Sequence, residues 1–147
     1  MNIIRFVAVA ATLALAACGG GSSGNSLPPN SFGTCDPGTA VALARPAQGQ
    51  AGVATSQNPI EIVASGNNNT LGTSFQSWDL ILQPQFGASI TSSPLSAAAD
   101  PSGPHPFASD FFYSGSVSGL AFGTAYTVFL NSFASNCTPV AIGSFST

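Results

Sequence analysis

The sequence predicts an all-β chain, an antiparallel sandwich of about seven strands behind a leader and a flexible linker. Three observations carry that expectation. No segment of ten or more residues repeats apolar side chains at i, i+3, i+4 and i+7, the spacing of an amphipathic helix. Short runs rich in Val, Ile, Phe, Tyr and Thr recur instead, bounded by Gly, Pro, Asn and Ser. Polarity comes mostly from Ser, Thr, Asn and Gln: only 5% of the residues are charged while 44% are hydrophobic, and eleven Phe, one Trp and two Tyr can fill a core.

The chain opens with a short segment, Met1 to Arg5, carrying one positive charge, followed by an apolar run from Phe6 to Ala17. As a helix that run rises only about 18 Å, well short of a bilayer core of about 30 Å. A charged start, a brief apolar region and small residues before a break are the pattern of a secretory signal peptide, assigned here to residues 1–17. Residues 18–36 follow as a Gly-, Ser- and Pro-rich tether, and residues 37–147 as the folded domain. About 110 residues are enough for one domain that buries somewhat over 60% of its unfolded surface.

Within the domain the strands come in order. Val41 and Leu43 alternate before Arg45-Pro46, and Ile60 and Ile62 alternate in a run ending at the Gly66-Asn67-Asn68-Asn69 turn. Phe75 to Leu82 follows with Trp78, Leu80 and Leu82 on one face, and Ile90 marks a weaker run. Phe111-Phe112-Tyr113, Ala125 to Phe133 and Val140 to Phe145 complete the set. Phe86 to Pro106 is long, poor in strand signal and rich in Pro, Ser and Ala, so the strand order in that part stays open.

Two resemblances add to this. Leu15-Ala16-Ala17-Cys18 resembles the lipobox of bacterial lipoproteins, which implies that Cys18 is lipidated and becomes the first residue of the mature chain. Gly19 stands where inner-membrane members carry Asp, which implies an outer-membrane anchor. Three lipid chains hold where a single one binds only marginally. The second resemblance lies in Leu120-Ala121-Phe122-Gly123-Thr124-Ala125-Tyr126-Thr127-Val128. It is similar to the L-x-x-G-T-x-Y-x-V stretch of fibronectin type III and bacterial Ig-like domains, and implies that Tyr126 forms a tyrosine corner. Pro46 to Ala54, Ile60-Glu61-Ile62 and the closing Gly143 to Thr147 also look like parts of such domains. The expected fold is therefore an Ig-like β-sandwich.

Composition excludes some functions. Without the leader, Arg45 is the one basic side chain against Asp36, Glu61, Asp79, Asp100 and Asp110, and there is no lysine. Nucleic-acid binding needs clusters of Lys and Arg, as does a polybasic membrane patch, so neither is expected. With Cys18 taken by lipid, an exported chain most simply pairs Cys35 with Cys137. Gly19 to Gly24 satisfies G-x-G-x-x-G but precedes Asn25-Ser26-Leu27-Pro28-Pro29 and no helix, so it reads as linker and not as a dinucleotide loop. The sequons at Asn68 and Asn136 carry no weight behind a bacterial leader.

Candidate chemistry is sparse. His105, the only histidine, lies between Asp100 and Asp110, which admits a small hydrolase or metal-dependent enzyme as the alternative function. The G-x-S-x-G elbow is missing, as are H-E-x-x-H and EF-hand spacings, and no catalytic residue, metal or cofactor is assigned. Weak Ca²⁺ contacts are conceivable at Asn67 to Asn69 or near Asp110. Glu61 and Asp79 are expected to face solvent as an unpaired set of acids. The one functional lead is aromatic. His105, Phe107, Phe111, Phe112 and Tyr113 fall within nine residues, a candidate patch for a glycan or protein ligand unless the long segment covers it. The expected protein is a membrane-anchored binding, adhesion or structural module, or a subunit of an envelope complex.

Overall fold

The computed structural model describes residues 33–66, 71–107 and 110–147. The leader, Cys18, the tether up to residue 32 and the Asn67 to Asn69 turn lie outside the described residues, and Gly72, Thr73 and Asp110 are described by backbone alone.

The described residues form eight strands: β1 (Val41–Arg45), β2 (Ile60–Ser65), β3 (Trp78–Pro84), β4 (Ile90–Thr91), β5 (Ser96–Ala98), β6 (Asp110–Gly115), β7 (Ala125–Ser132) and β8 (Val140–Ser146). They make two four-stranded sheets, β1-β2-β6-β5 and β4-β3-β7-β8, and all pairs between strands are antiparallel. Lettered in chain order, the sheets read ABED and C′CFG, the strand arrangement of immunoglobulin sandwiches with a C′ strand added. Phe75 to Ser77, expected as the start of β3, belong instead to a 3₁₀ helix, Gly72–Ser77. That turn carries the chain from the ABED sheet to the C′CFG sheet and sets Phe75 against Tyr113, ring centroids 5.2 Å apart.

The segment whose strand order was open supplies both short edge strands. β4 pairs with β3, residues 92–95 cross between the sheets, and β5 pairs with β6. The crossing is held by Leu95, buried in the main core, and by polar groups at Ser92. Ser92 exchanges backbone contact with Leu80, its Oγ accepts the Leu80 N–H at 2.9 Å and donates to Ser93 O at 2.6 Å. A hydroxyl thereby does the ladder's work where no alternating pattern exists.

The core lies between the sheets. Leu43, Ile60, Ile62, Leu80, Leu82, Tyr113, Tyr126, Val128, Leu130 and Phe145 form its main cluster, and the alternation of Tyr126, Val128 and Leu130 along β7 puts them on one face. A smaller cluster of Ala44, Val63 and Phe112 sits on the opposite, outer face of the ABED sheet. This explains why Ile62, Val63 and Ala64 are buried in succession, against the alternation expected of a half-covered strand.

Residues 33–36, expected in the tether, belong to the sandwich. Cys35 is buried and bonded to Cys137, its N–H donates to Thr138 O at 2.7 Å, and Thr34 bridges Thr138. The outer edge of β8 is covered from that side and, at its other half, by the β1–β2 loop. Gly49 N–H donates to Ser144 O, Val53 N–H to Ser146 O, and Gln48 Oε1 accepts the Ser144 N–H. Covered edges resist pairing with other chains.

Candidate functional site

The candidate aromatic residues do not form one exposed patch, and the reason is the two-residue repeat of β6. Phe112 points to the outer face of the ABED sheet and Tyr113 to the inner core, and both are buried. Phe111 shares the parity of Tyr113 but lies at the strand's start, where it is 48% exposed. Of the two readings left open, exposed or covered, the covered one holds for Phe112.

What covers Phe112 is the β5–β6 connection. Residues 99–107 run as a strap across the outer face of the ABED sheet. The Arg45 guanidinium donates to Pro101 O, Phe107 packs on the Ala44-Val63-Phe112 cluster, and the His105 ring meets Phe112 edge-on at 5.1 Å. Prolines at 101, 104 and 106 remove N–H donors that this apolar face would leave unpaired, and the strap bends at Ser102, whose φ is positive.

Arg45, Glu61, Asp100 and His105 lie at the strap's margins. Glu61 and Asp79 were expected to be solvated, and neither is. Glu61 is largely covered beside Arg45, with Nε to Oε2 at 3.7 Å. Asp79 is buried on the outer face of the other sheet and accepts a hydrogen bond from the Asn131 carboxamide at 2.8 Å. His105 Nε2 lies 3.8 Å from Asp100 Oδ2, a long contact to a largely exposed carboxylate. Its Nδ1 is buried without a hydrogen-bond partner. A histidine acting as general base needs a partner that fixes its tautomer. Here the ring is held by packing against Phe112. Asp110 starts β6, with its Cα opposite Ser65, and its side chain is not described.

Among the described residues no group of three or more His, Cys, Asp or Glu side chains is placed to hold a metal ion. Cavities beside the strap hold about 150 and 250 Å³. A third, about 250 Å³, lies between the Thr34 to Thr39 segment and β8. Sites for small molecules usually hold about 300–1,000 Å³.

Tyr126 lies where the motif suggested a corner. Its hydroxyl accepts the Ala121 N–H at 2.7 Å, and its ring stacks on Phe145 with centroids 5.4 Å apart. This closes the loop before β7 and leaves Phe122 outside it, 91% exposed.

Large exposed apolar side chains lie at the two ends of the sandwich. Phe111 and Phe133 are at the near end, where Gly33 to Asp36 join the fold; Phe86 and Phe122 are at the far end. The last two were not singled out in the sequence. The signal was there: each precedes a turn glycine, Gly87 or Gly123, both with positive φ, so neither belongs to a strand's alternating core set. No family model matches the chain, and no match was found among curated proteins or solved structures.

Proposed function

We propose that the chain is a lipid-anchored bacterial envelope protein whose single Ig-like sandwich serves as a non-catalytic binding or adhesion module. The observation that carries this reading is where the exposed apolar side chains lie. Phe86, Phe111, Phe122 and Phe133 are all on loops or strand ends, and none lines a cavity described above. Recognition by such a surface is contact at an end of the sandwich, in the manner of Ig-type loops. Anchoring rests on the leader sequence and Cys18. The Cys35–Cys137 bond joins the residues that follow the tether to one end of the domain.

Proteinase K treatment of intact cells tests the outward-facing form of this reading. The domain should vanish while a periplasmic control survives. Survival until the outer membrane is broken refutes environmental adhesion and points to an envelope partner. Changing Cys18 to Ser should release the protein from membranes or block its processing; normal cleavage and retention refute the anchor.

A further inference from the structure

We propose that the far end of the sandwich, carrying Phe86 and Phe122, is a docking tip for an uncharged or zwitterionic lipid surface. This inference rests on the envelope-module reading and names the partner of that module.

The two rings lie on neighbouring loops. β3 and β7 are paired up to Pro84 opposite Tyr126, and Gln85 N–H then donates to Ala125 O at 2.9 Å. Phe86 follows that bond directly and Phe122 precedes Ala125 by one turn. They are 83% and 91% exposed, the two most exposed large apolar side chains among the described residues. Exposure of that degree leaves both faces of a ring in water, whereas a ring that stacks on a sugar or fills a protein interface is usually backed on one face.

The surroundings decide the partner's chemistry. The three loops at this end are 46–59, 85–89 and 116–124, and they contain no Asp, Glu, Lys, Arg or His. Insertion of the two rings therefore strips no charged side chain of these loops of its water; Arg45, which ends β1 at this end, is held by Pro101 O beside Glu61. Several polar groups beside the rings are bonded within the fold. Ala121 N–H is held by the Tyr126 hydroxyl and Ala121 O by the Thr147 hydroxyl. Thr124 N–H donates to Thr147 Oγ1, and Thr124 Oγ1 donates to Phe122 O.

The amides of the 46–59 loop are similarly turned inward. Gln50 Oε1 accepts the Ala47 N–H, Gln57 Nε2 donates to Pro59 O, and Asn58 Oδ1 accepts the Val117 N–H. A glycan or a specific protein partner needs directed polar groups to read, and these carboxamide atoms are spent on the fold. A lipid surface asks only for apolar insertion with no stranded hydrogen-bonding groups.

The test uses the full chain carrying Phe122→Trp, reconstituted into plain phosphatidylcholine vesicles, with brominated phosphatidylcholine vesicles added as acceptors. Bromine quenches indole only at close range, so quenching reports this tip in the acceptor bilayer. Trp78 begins β3 at the opposite end and, read in the unsubstituted chain, gives the background. The expected result is acceptor-dependent quenching that persists in high salt, since no charged side chain takes part. Adding Phe86→Ser should weaken it about tenfold or more, the worth of burying one Phe ring. No quenching by acceptors overturns the proposal. So does a fluorescence change with neutral polysaccharide such as dextran in place of vesicles, which transfers the tip to glycans. Failure of the chain to float with the donor vesicles overturns the anchor reading alone, because acceptor quenching still reads the tip. Unchanged circular dichroism keeps a null result from being ascribed to misfolding.

Discussion

Gly115→Ala tests whether the crossing between the sheets is as close as it stands here. Gly115 ends β6 opposite Ile60, where the 92–95 segment passes. A Cβ built on it lies 2.5 Å from Ser92 Oγ, 2.8 Å from Ser92 Cβ and 3.3 Å from Ser93 O. Ser92 cannot swing away freely, because its Oγ holds the Leu80 N–H and its own N–H donates to Leu80 O at 2.8 Å. Overpacking of this kind costs about 1–3 kcal/mol. Displacing the hydroxyl strands a buried donor for about 1–3 kcal/mol more. The sum, roughly 2–6 kcal/mol, is a large share of the stability of a domain this size. It should lower Tm by roughly 10 °C or more. Urea unfolding followed by circular dichroism, with the disulfide intact, reads it directly. Ser92→Gly removes both contacted atoms, so the double variant should be little worse than Ser92→Gly alone. The reasoning is refuted if Gly115→Ala stays within about 0.5 kcal/mol of the parent, or if the two changes simply add.

Three further outcomes are expected. Tyr126→Phe keeps the ring on Phe145 but removes the acceptor of Ala121 N–H, so urea unfolding should show a loss of about 1–2 kcal/mol with an unchanged m value. Replacing Cys35 and Cys137 with Ser opens a closure of 102 residues, worth about 4–5 kcal/mol in the chain-entropy picture; a loss under about 1 kcal/mol would contradict it. His105→Ala removes the ring that faces Phe112 and should speed amide exchange in 99–107, while Asp100→Asn, changing an exposed and distant partner, should leave stability within about 0.5 kcal/mol.

The long strands were legible because their side chains obey one rule. Tyr126, Val128 and Leu130 face the core from β7, as Leu80 and Leu82 do from β3, and the period of two reveals both. The edge strands follow no such rule. β4 has two residues and β5 three, with Pro94 between them, and they are held by Ser92, Ser93 and their partners across the gap. Hydrogen bonds between residues far apart in the chain leave no periodic trace. The aromatic cluster is divided between two faces for a related reason. Proximity in sequence along a strand sends neighbours to opposite faces, so Phe112 and Tyr113 are separated by the sheet itself. Phe86 and Phe122 are far apart in sequence, and only the β3–β7 pairing brings their loops to one end.

The strap and the tip bear on each other. An outer sheet face is the usual broad surface of a sandwich, and on the ABED side it is closed by residues 99–107 lying over Val63 and Phe112. On the C′CFG side the outer face carries Ile81 opposite Phe129, both half-buried, and the Asp79–Asn131 pair, whose hydrogen bond ties β3 to β7 within the sheet. That carboxylate is already buried, and with Ile81 and Phe129 half-covered the face offers little free apolar surface. The far loops hold no charged side chain and expose Phe86 and Phe122. The near end is where the disulfide fastens the incoming chain. Of the surfaces described, the far end therefore combines the greatest apolar exposure with the least polar desolvation, and contact there leaves the strap, the core and the fastening of the tether undisturbed.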